Sequence, residues 1–305
     1  MIVSPRLAAI TPLLAMRAQP TSMLAMPVAT TVADGLVTAA GAGSIAIALQ
    51  LAGVALIRAI PEEKRSIMLA NSGYVVYKSV ALLLIVVQTI IGALWYFPAV
   101  GATSASRLLA PDGTVRFLAA VVFGTLVMWD LPCAVFIKRI RKPDMIAHHV
   151  GVATIAFVMM AYLPNAFGLF YLGAQEISSV PVCVWNFYTN ADDAAATPQW
   201  SERVSPPALE RIQAARDISQ LAAAIAFVLV RGIEFTRITA TRLLPDMRAV
   251  LPTPAAAASA TALRIGLVGA LCFNALQLFW LYQIVSVMIE KIFFGGDGVP
   301  ERDRK

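Results

Sequence analysis

Long apolar segments separated by short polar connections form the main pattern along this chain. A helix needs roughly 20 largely apolar residues to cross the hydrocarbon core of a bilayer. Seven segments come close to that length: residues 35–57, 79–98, 117–137, 146–163, 166–188, 218–236 and 263–289. The pattern therefore predicts an all-α polytopic membrane protein with about seven transmembrane helices.

The connections between these segments predict how neighbouring helices are joined. Only Tyr162-Leu163-Pro164-Asn165 separates the fourth segment from the fifth, which predicts a tight helical hairpin. Residues 189–217 form a long polar connection, and within it Ser205-Pro206-Pro207 is typical of a helix start, because proline is tolerated in the first turn. Residues 246–262 are rich in proline and alanine and predict an irregular loop.

The composition agrees with a membrane protein and indicates its orientation. Hydrophobic residues make up 59% of the chain and charged residues only 14%, with a mean hydropathy of +0.74, whereas soluble domains average about 25% charged residues. Lys and Arg are concentrated in residues 58–78, 138–145 and 189–217 and at the C-terminus. The positive-inside rule then predicts a cytosolic C-terminus and a lumenal N-terminus. The net charge of +6 does not indicate a nucleic-acid partner, because no basic stripe is interleaved with aromatic residues.

The first 34 residues differ from the rest of the chain. They contain Arg6 and Arg17 but no acidic residue before Asp34, and they are rich in Ala, Met, Thr and Pro. This composition predicts a poorly ordered or targeting N-terminal tail over residues 1–34.

Four ionisable side chains enter the predicted spans at a similar depth. His148 and His149 are the only histidines of the chain. At a rise of 1.5 Å per residue, Asp130 lies roughly 12 Å below the cytosolic edge, His149 roughly 8 Å below it and Glu176 again roughly 12 Å below it. Charged groups inside hydrocarbon are costly and normally face the interior of a helix bundle. We therefore predict that the three helices that carry these residues share one site.

An imidazole beside a carboxylate can act as a general base or a nucleophile, and acyl transfer fits such a set. The residues alone leave another interpretation open, in which the histidines are interfacial and Asp130 and Glu176 only hydrogen-bond helices together. Adjacent histidines are poor co-ligands on one helix face, so a zinc site is disfavoured and we predict no metal. No nucleotide-binding or serine-hydrolase motif occurs in the sequence. Arg231 and Glu234 lie three residues apart and are expected to pair with each other.

Several of these residues occur in an order that resembles a known family. Trp129-Asp130 is followed by Asp144 and His148-His149, and then by Gln175-Glu176-Ile177-Ser178-Ser179-Val180-Pro181. This order is similar to the TLC (TRAM/Lag/CLN-type) domain family of multi-pass proteins. The resemblance covers about residues 68–292, which leaves residues 35–67 as an additional helix with its linker and residues 293–305 as a polar C-terminal tail. It implies a bundle of six helices around a lipid-accessible cavity.

The resemblance also implies a function. In the ceramide synthase branch of the family, the His pair carries acyl transfer from acyl-CoA, which makes His148 and His149 the catalytic pair here, with Asp130 or Glu176 orienting the imidazole. That branch has two aspartates three residues apart, and the matching positions are Glu176 and Ser179. The chain therefore looks closer to the TLC-domain-containing proteins, which act in ceramide and phospholipid homeostasis, than to true ceramide synthases. If the chain is an enzyme, the resemblance implies an acyltransferase of ceramide-synthase-like type.

The expected substrates and partners follow from the same interpretation. A basic cluster beside the His pair is predicted to bind acyl-CoA as the co-substrate; it consists of Lys138, Arg139, Arg141 and Lys142. We expect no other cofactor, and the expected partners are membrane lipids and long acyl chains, with a homodimer compatible with this interpretation. The expected membrane is the endoplasmic reticulum. A non-catalytic lipid sensor or cargo receptor is the second interpretation, and a transporter is the third.

Overall fold

The computed structural model describes residues 29–99 and 103–294, and these residues form helices and turns with no strand among them. Seven helices are long and apolar enough to span a membrane, which confirms the predicted fold class. They are α1 Val32–Ala59, α2 Ser72–Ala99, α3 Gly113–Phe136, α4 Pro143–Ala161, α5 Phe167–Ala195, α6 Pro206–Val250 and α7 Ala260–Phe294. The predicted tail falls largely outside the described residues, as does most of the predicted C-terminal tail.

Short polar signals set where the helices begin. At α1, Thr31 accepts a hydrogen bond from the backbone N–H of Asp34, and the Asp34 carboxylate accepts one from the backbone N–H of Thr31. Asp112 accepts from two backbone N–H groups at the start of α3. The first residues of α4 and α6 are Pro143 and Pro206, so the helix start predicted at Ser205 is confirmed. A capping side chain accepts hydrogen bonds from backbone N–H groups of the first turn, and a proline has no N–H group that would need a partner.

Three predicted connections are shorter in the structure, two because charged residues were taken as the end of a helix and one because a Pro/Ala-rich segment was taken as an irregular loop. Helix α2 begins at Ser72 rather than at residue 79, so Lys78 lies inside it. The connection predicted over 189–217 is shorter, because α5 continues to Ala195 and α6 begins at Pro206. The loop predicted over 246–262 is mostly helical, since α6 ends at Val250 and residues Pro254–Ser259 form a 3₁₀ helix. Charged residues continue α2, α5 and α6 beyond their apolar segments.

Three of the helices change their winding where they carry polar residues. Helix α3 widens into a π-helical turn at Leu126–Asp130, and α6 does the same at Phe227–Glu234 and at Thr239–Leu243. Two of these turns end two residues before a proline, Pro132 or Pro245, whose backbone nitrogen has no hydrogen to donate. Helix α5 tightens into a 3₁₀ turn at Ala174–Ser178. Such irregular turns are frequent at functional sites.

The 3₁₀ turn of α5 lies against α2 at a close crossing. A Cβ on Gly92 would lie 2.2 Å from the backbone nitrogen of Ala174 and 2.5 Å from the carbonyl oxygen of Leu169. Only glycine allows the two backbones to approach this closely. The crossing therefore fixes the position of the segment that carries Gln175 and Glu176.

The connections divide the bundle into two ends. We call the end that holds residues 60–71, 137–142 and 196–205 the basic end. At the opposite end, the turn between α4 and α5 spans residues 162–166, as predicted for a tight hairpin. There the short helix Ser104–Leu109 is tied to the end of α6, because Arg107 binds both carboxylate oxygens of Asp246 at 2.7 Å.

Candidate functional site

An elongated cavity of about 460 Å³ runs through the bundle. All six helices from α2 to α7 line it, and α1 contributes no lining residue. The lining residues on α7 extend from Ala262 to Ile284, roughly 33 Å at 1.5 Å per residue, which is close to the thickness of the hydrocarbon core. Gln283 lines the cavity and is exposed, so the cavity opens near the end of α7. A space this long and narrow suits one extended chain.

Asp130 and His149 form a hydrogen-bonded pair on the cavity wall. The Asp130 Oδ1 atom lies 2.5 Å from the His149 Nδ1 atom and joins α3 to α4. The other carboxylate oxygen accepts a hydrogen bond of 2.8 Å from the Tyr77 hydroxyl on α2. A neutral His149 that donates from Nδ1 keeps its Nε2 atom unprotonated, which is the tautomer that a general base needs.

The adjacent imidazole of His148 has a different environment. Its ring meets the rings of Phe273 and Trp280 on α7 edge-on, with centroid distances of 5.4 Å and 5.1 Å. The ring centroids of His148 and His149 are 5.5 Å apart. The His148 Nδ1 atom is buried and has no hydrogen-bond partner among the described residues. The two histidines therefore line one cavity, but a carboxylate orients only His149.

Glu176 binds an arginine rather than an imidazole. Its Oε1 atom accepts a hydrogen bond of 2.9 Å from the Arg231 Nη2 atom, and its Oε2 atom accepts one of 2.8 Å from the Ser179 hydroxyl. Arg231 also donates to the Ser178 and Ser179 hydroxyls at 2.8 Å. The expected Arg231–Glu234 pair is wrong, because the π-helical turn directs Arg231 inward and Glu234 pairs with Arg237 on the exposed side of α6.

The basic cluster predicted to bind substrate lies outside the cavity lining. Arg139 binds Asp193 at 2.5 Å, with its guanidinium over the ring of Tyr74, and Arg141 donates to backbone carbonyl groups at the end of α3. Lys138 and Lys142 are exposed at the basic end. These four cations therefore lie at the basic end of the bundle and not on the wall of the cavity.

Sequence reasoning overlooked two residues of the wall, Tyr77 and Lys78. Both lie in the first turns of α2, which the sequence boundary at residue 79 had assigned to a loop. The recurrence of Tyr74, Tyr77 and Lys78 at intervals of three and four residues was the available signal, because such a spacing places side chains on one helix face. Among the described residues, no group of three His, Cys, Asp or Glu side chains is placed to hold a metal ion.

The fold and the cavity define a multi-pass membrane protein whose helix bundle encloses a polar site. The family model for the TLC domain, TRAM_LAG1_CLN8, matches residues 74–286, which is more than half of the chain. The protein therefore belongs to the TLC-domain family. Comparisons with curated proteins and with solved structures found no match. The matched region contains the residues around the Asp130–His149 pair and those around the Glu176–Arg231 pair, and it excludes α1.

Proposed function

We propose that the protein binds a long acyl chain in its cavity and transfers the acyl group from acyl-CoA to a lipid acceptor. The observation that carries this proposal is the Asp130–His149 hydrogen bond on the wall of a chain-sized cavity. A carboxylate that holds one imidazole nitrogen leaves the other free to accept a proton. Asp130 is held in turn by Tyr77, so the pair has a fixed geometry.

In the proposed reaction, His149 Nε2 takes the proton from a hydroxyl or amine of the acceptor. The acceptor oxygen or nitrogen then forms a bond to the thioester carbonyl carbon, and the C–S bond breaks. The CoA thiolate leaves and takes the proton from the imidazolium. Asp130 stabilises the imidazolium while it exists, and His148 lies beside the reacting groups.

The surroundings are part of the same proposal. We place the protein in the endoplasmic reticulum, with the N-terminus lumenal, the C-terminus cytosolic and the basic end facing the cytosol. Acyl-CoA then approaches from the side of Lys138, Arg139, Arg141 and Lys142, where its phosphates meet basic side chains. The consequence of the reaction is a change in membrane ceramide or phospholipid composition.

A second candidate function is lipid binding without catalysis, as in a sensor or cargo receptor. The observation that favours it is the pairing of Glu176 with Arg231, so that among the described residues Asp130 is the one carboxylate that binds a histidine. Ser179, at the position matched to a second acid, binds the same two residues. In this case the cavity holds a lipid and the polar groups stabilise the bundle.

Turnover by the purified protein separates the two functions. The protein in an uncharged detergent is given acyl-CoA with long-chain amines or lysolipids, and the products are followed by mass spectrometry. We expect acylated product, with its rate reduced about 10²–10⁴-fold in His149→Ala because general base catalysis is lost.

The matched control is Val150→Ala, because Val150 is the next residue of α4, is exposed and does not line the cavity. It is expected to retain the wild-type rate. Acyl-CoA left intact with every acceptor contradicts acyl transfer and favours the binding protein, provided that the protein still retains a labelled lipid.

A further inference from the structure

Buried polar atoms without a hydrogen-bond partner concentrate on the cavity wall. The described residues contain six such side-chain atoms, and four of them belong to residues that line the cavity: Trp129, His148, Gln175 and Gln277. Buried polar groups in folded proteins are almost always satisfied, so a cluster of exceptions calls for a ligand. The cavity is therefore built for a molecule that carries polar groups as well as a chain.

Two wall residues beside Tyr77, Trp129 and Lys78, have side chains that can only donate hydrogen bonds. The Trp129 Nε1–H group is buried and has no acceptor, and the Lys78 ammonium lines the same cavity. Both lie against the ring of Tyr77, since the Trp129 ring stacks on it at 5.0 Å and Lys78 Nζ lies 5.3 Å from its centroid. The unpartnered atoms of Gln175 and Gln277 are amide oxygens, which accept hydrogen bonds, whereas Trp129 and Lys78 require an acceptor.

Both carboxylates on the cavity wall bind residues other than Lys78. Arg231 is paired with Glu176, and the two oxygens of Asp130 bind His149 and Tyr77. No salt bridge within 4.0 Å includes Lys78 among the described residues. An ammonium in the first turns of a membrane helix is costly unless a counter-ion or a ligand accepts its hydrogen bonds.

We propose that Lys78 and the Trp129 indole N–H bind the anionic head group, phosphate or carboxylate, of a single-chain amphiphile. This proposal rests on the proposed function to the extent that the same cavity holds the chain. The head group then sits beside Tyr77, whose hydroxyl binds Asp130, and so next to the Asp130–His149 pair. The chain extends along α7 away from the basic end.

The test compares anionic and uncharged ligands that have the same chain. The full-length protein in an uncharged maltoside detergent binds radiolabelled oleate, oleoyl lysophosphatidate or oleyl alcohol, and the affinity of each is measured by equilibrium dialysis. Lys78→Gln is expected to weaken binding of the anionic ligands about tenfold or more, because a charge-assisted hydrogen bond is lost. Binding of oleyl alcohol is expected to stay within about twofold of the wild type, since no charge is involved.

Two further variants make the result specific. Lys64→Gln removes an exposed lysine outside the cavity and is expected to leave all three affinities unchanged. Trp129→Phe keeps a ring against Tyr77 and removes only the donor, so it should weaken the anionic ligands severalfold and spare the alcohol. Trp129→Phe also provides the test if Lys78→Gln does not fold.

The outcomes identify the source of the charge. Weakening of both anionic ligands assigns the site to negative charge in general, and weakening of only one assigns it to phosphate or to carboxylate. An equal loss for oleyl alcohol, or no loss for either anionic ligand, overturns the proposal. Because the assay contains no acyl acceptor, a protein without transferase activity still gives the expected pattern, and an active transferase can still fail it.

Discussion

The cavity wall carries two carboxylates whose partners differ in a way that separates their roles. Asp130 binds His149, whose imidazole can both donate and accept a proton, and a tyrosine hydroxyl. Glu176 binds Arg231, whose guanidinium can only donate hydrogen bonds, and a serine hydroxyl. Both acids lie in irregular turns of membrane helices, so their local backbone does not distinguish them.

The difference teaches where chemistry and stability reside in this bundle. A carboxylate paired with arginine is fully neutralised, and its removal leaves an unpaired charge in a low-dielectric interior. A carboxylate paired with an imidazole leaves a group that can exchange a proton with a ligand. We therefore assign the Asp130–His149 pair to acid–base chemistry and the Glu176–Arg231 pair to holding α5 against α6.

Removal of Arg231 is expected to have the largest effect on stability. Arg231→Met leaves Glu176 without its counter-ion and should lower the free energy of unfolding by on the order of 3 kcal/mol, because a buried pair is broken on one side only. Graded denaturation of the detergent-solubilised protein measures this loss.

The matched control for that change is Arg237→Met. The Arg237–Glu234 pair lies on the exposed side of α6, with 54% and 38% of the two side chains exposed, against 8% and 21% for Arg231 and Glu176. Its loss should leave the free energy of unfolding close to that of the wild type. Equal losses in the two variants would show that the Arg231–Glu176 pair is not structural.

The close crossing behind Glu176 gives a second, smaller effect. Gly92→Ala places a methyl group against the backbone of α5 and should lower the free energy of unfolding by about 1–3 kcal/mol through overpacking. Gly41→Ala is the control, because a Cβ on Gly41 of α1 meets nothing within 4 Å and alanine favours the helix. A Gly92→Ala protein as stable as the wild type would argue against this crossing.

The smallest of the three expected effects on stability comes from loss of the hydrogen bond between Tyr77 and Asp130. Tyr77→Phe removes one hydrogen bond to Asp130 and should cost about 1 kcal/mol of stability, together with about a tenfold loss of turnover. Tyr74→Phe removes a hydroxyl hydrogen bond of 3.2 Å to the neutral Asn186 side chain on α5, away from the Asp130–His149 pair, and should affect stability alone. Turnover that falls equally in both variants would separate Tyr77 from the chemistry.

The bundle could be predicted from the sequence because its signals are local. Apolar length defined the seven spans, and Ser205 and the 162–165 turn marked where helices begin and reverse. The similar depth of Asp130 and His149 in the predicted membrane spans followed from counting residues along each helix, since the rise per residue is constant. The hydrogen bond between them agrees with that count.

The partners of Glu176 and Lys78 could not be predicted in the same way. The sequence places Glu234 three residues from Arg231, but a π-helical turn rotates the arginine away from that neighbour, and its origin in tertiary packing leaves no local signal. Lys78 was assigned to a loop because a charge usually ends an apolar segment. Its position inside α2 depends on the rings and the cavity around it, which belong to other helices.

The central claim is tested most directly by the same amide substitution at each of the two acids. Asp130→Asn and Glu176→Gln each replace a carboxylate by an amide of nearly equal shape, and both turnover and the free energy of unfolding are measured in each variant. We predict that Asp130→Asn lowers turnover about 10²–10⁴-fold with little change in stability, whereas Glu176→Gln destabilises the protein and retains turnover within about threefold. Turnover that survives in Asp130→Asn, or that is lost equally in both variants, would contradict the assignment of chemistry to the Asp130–His149 pair.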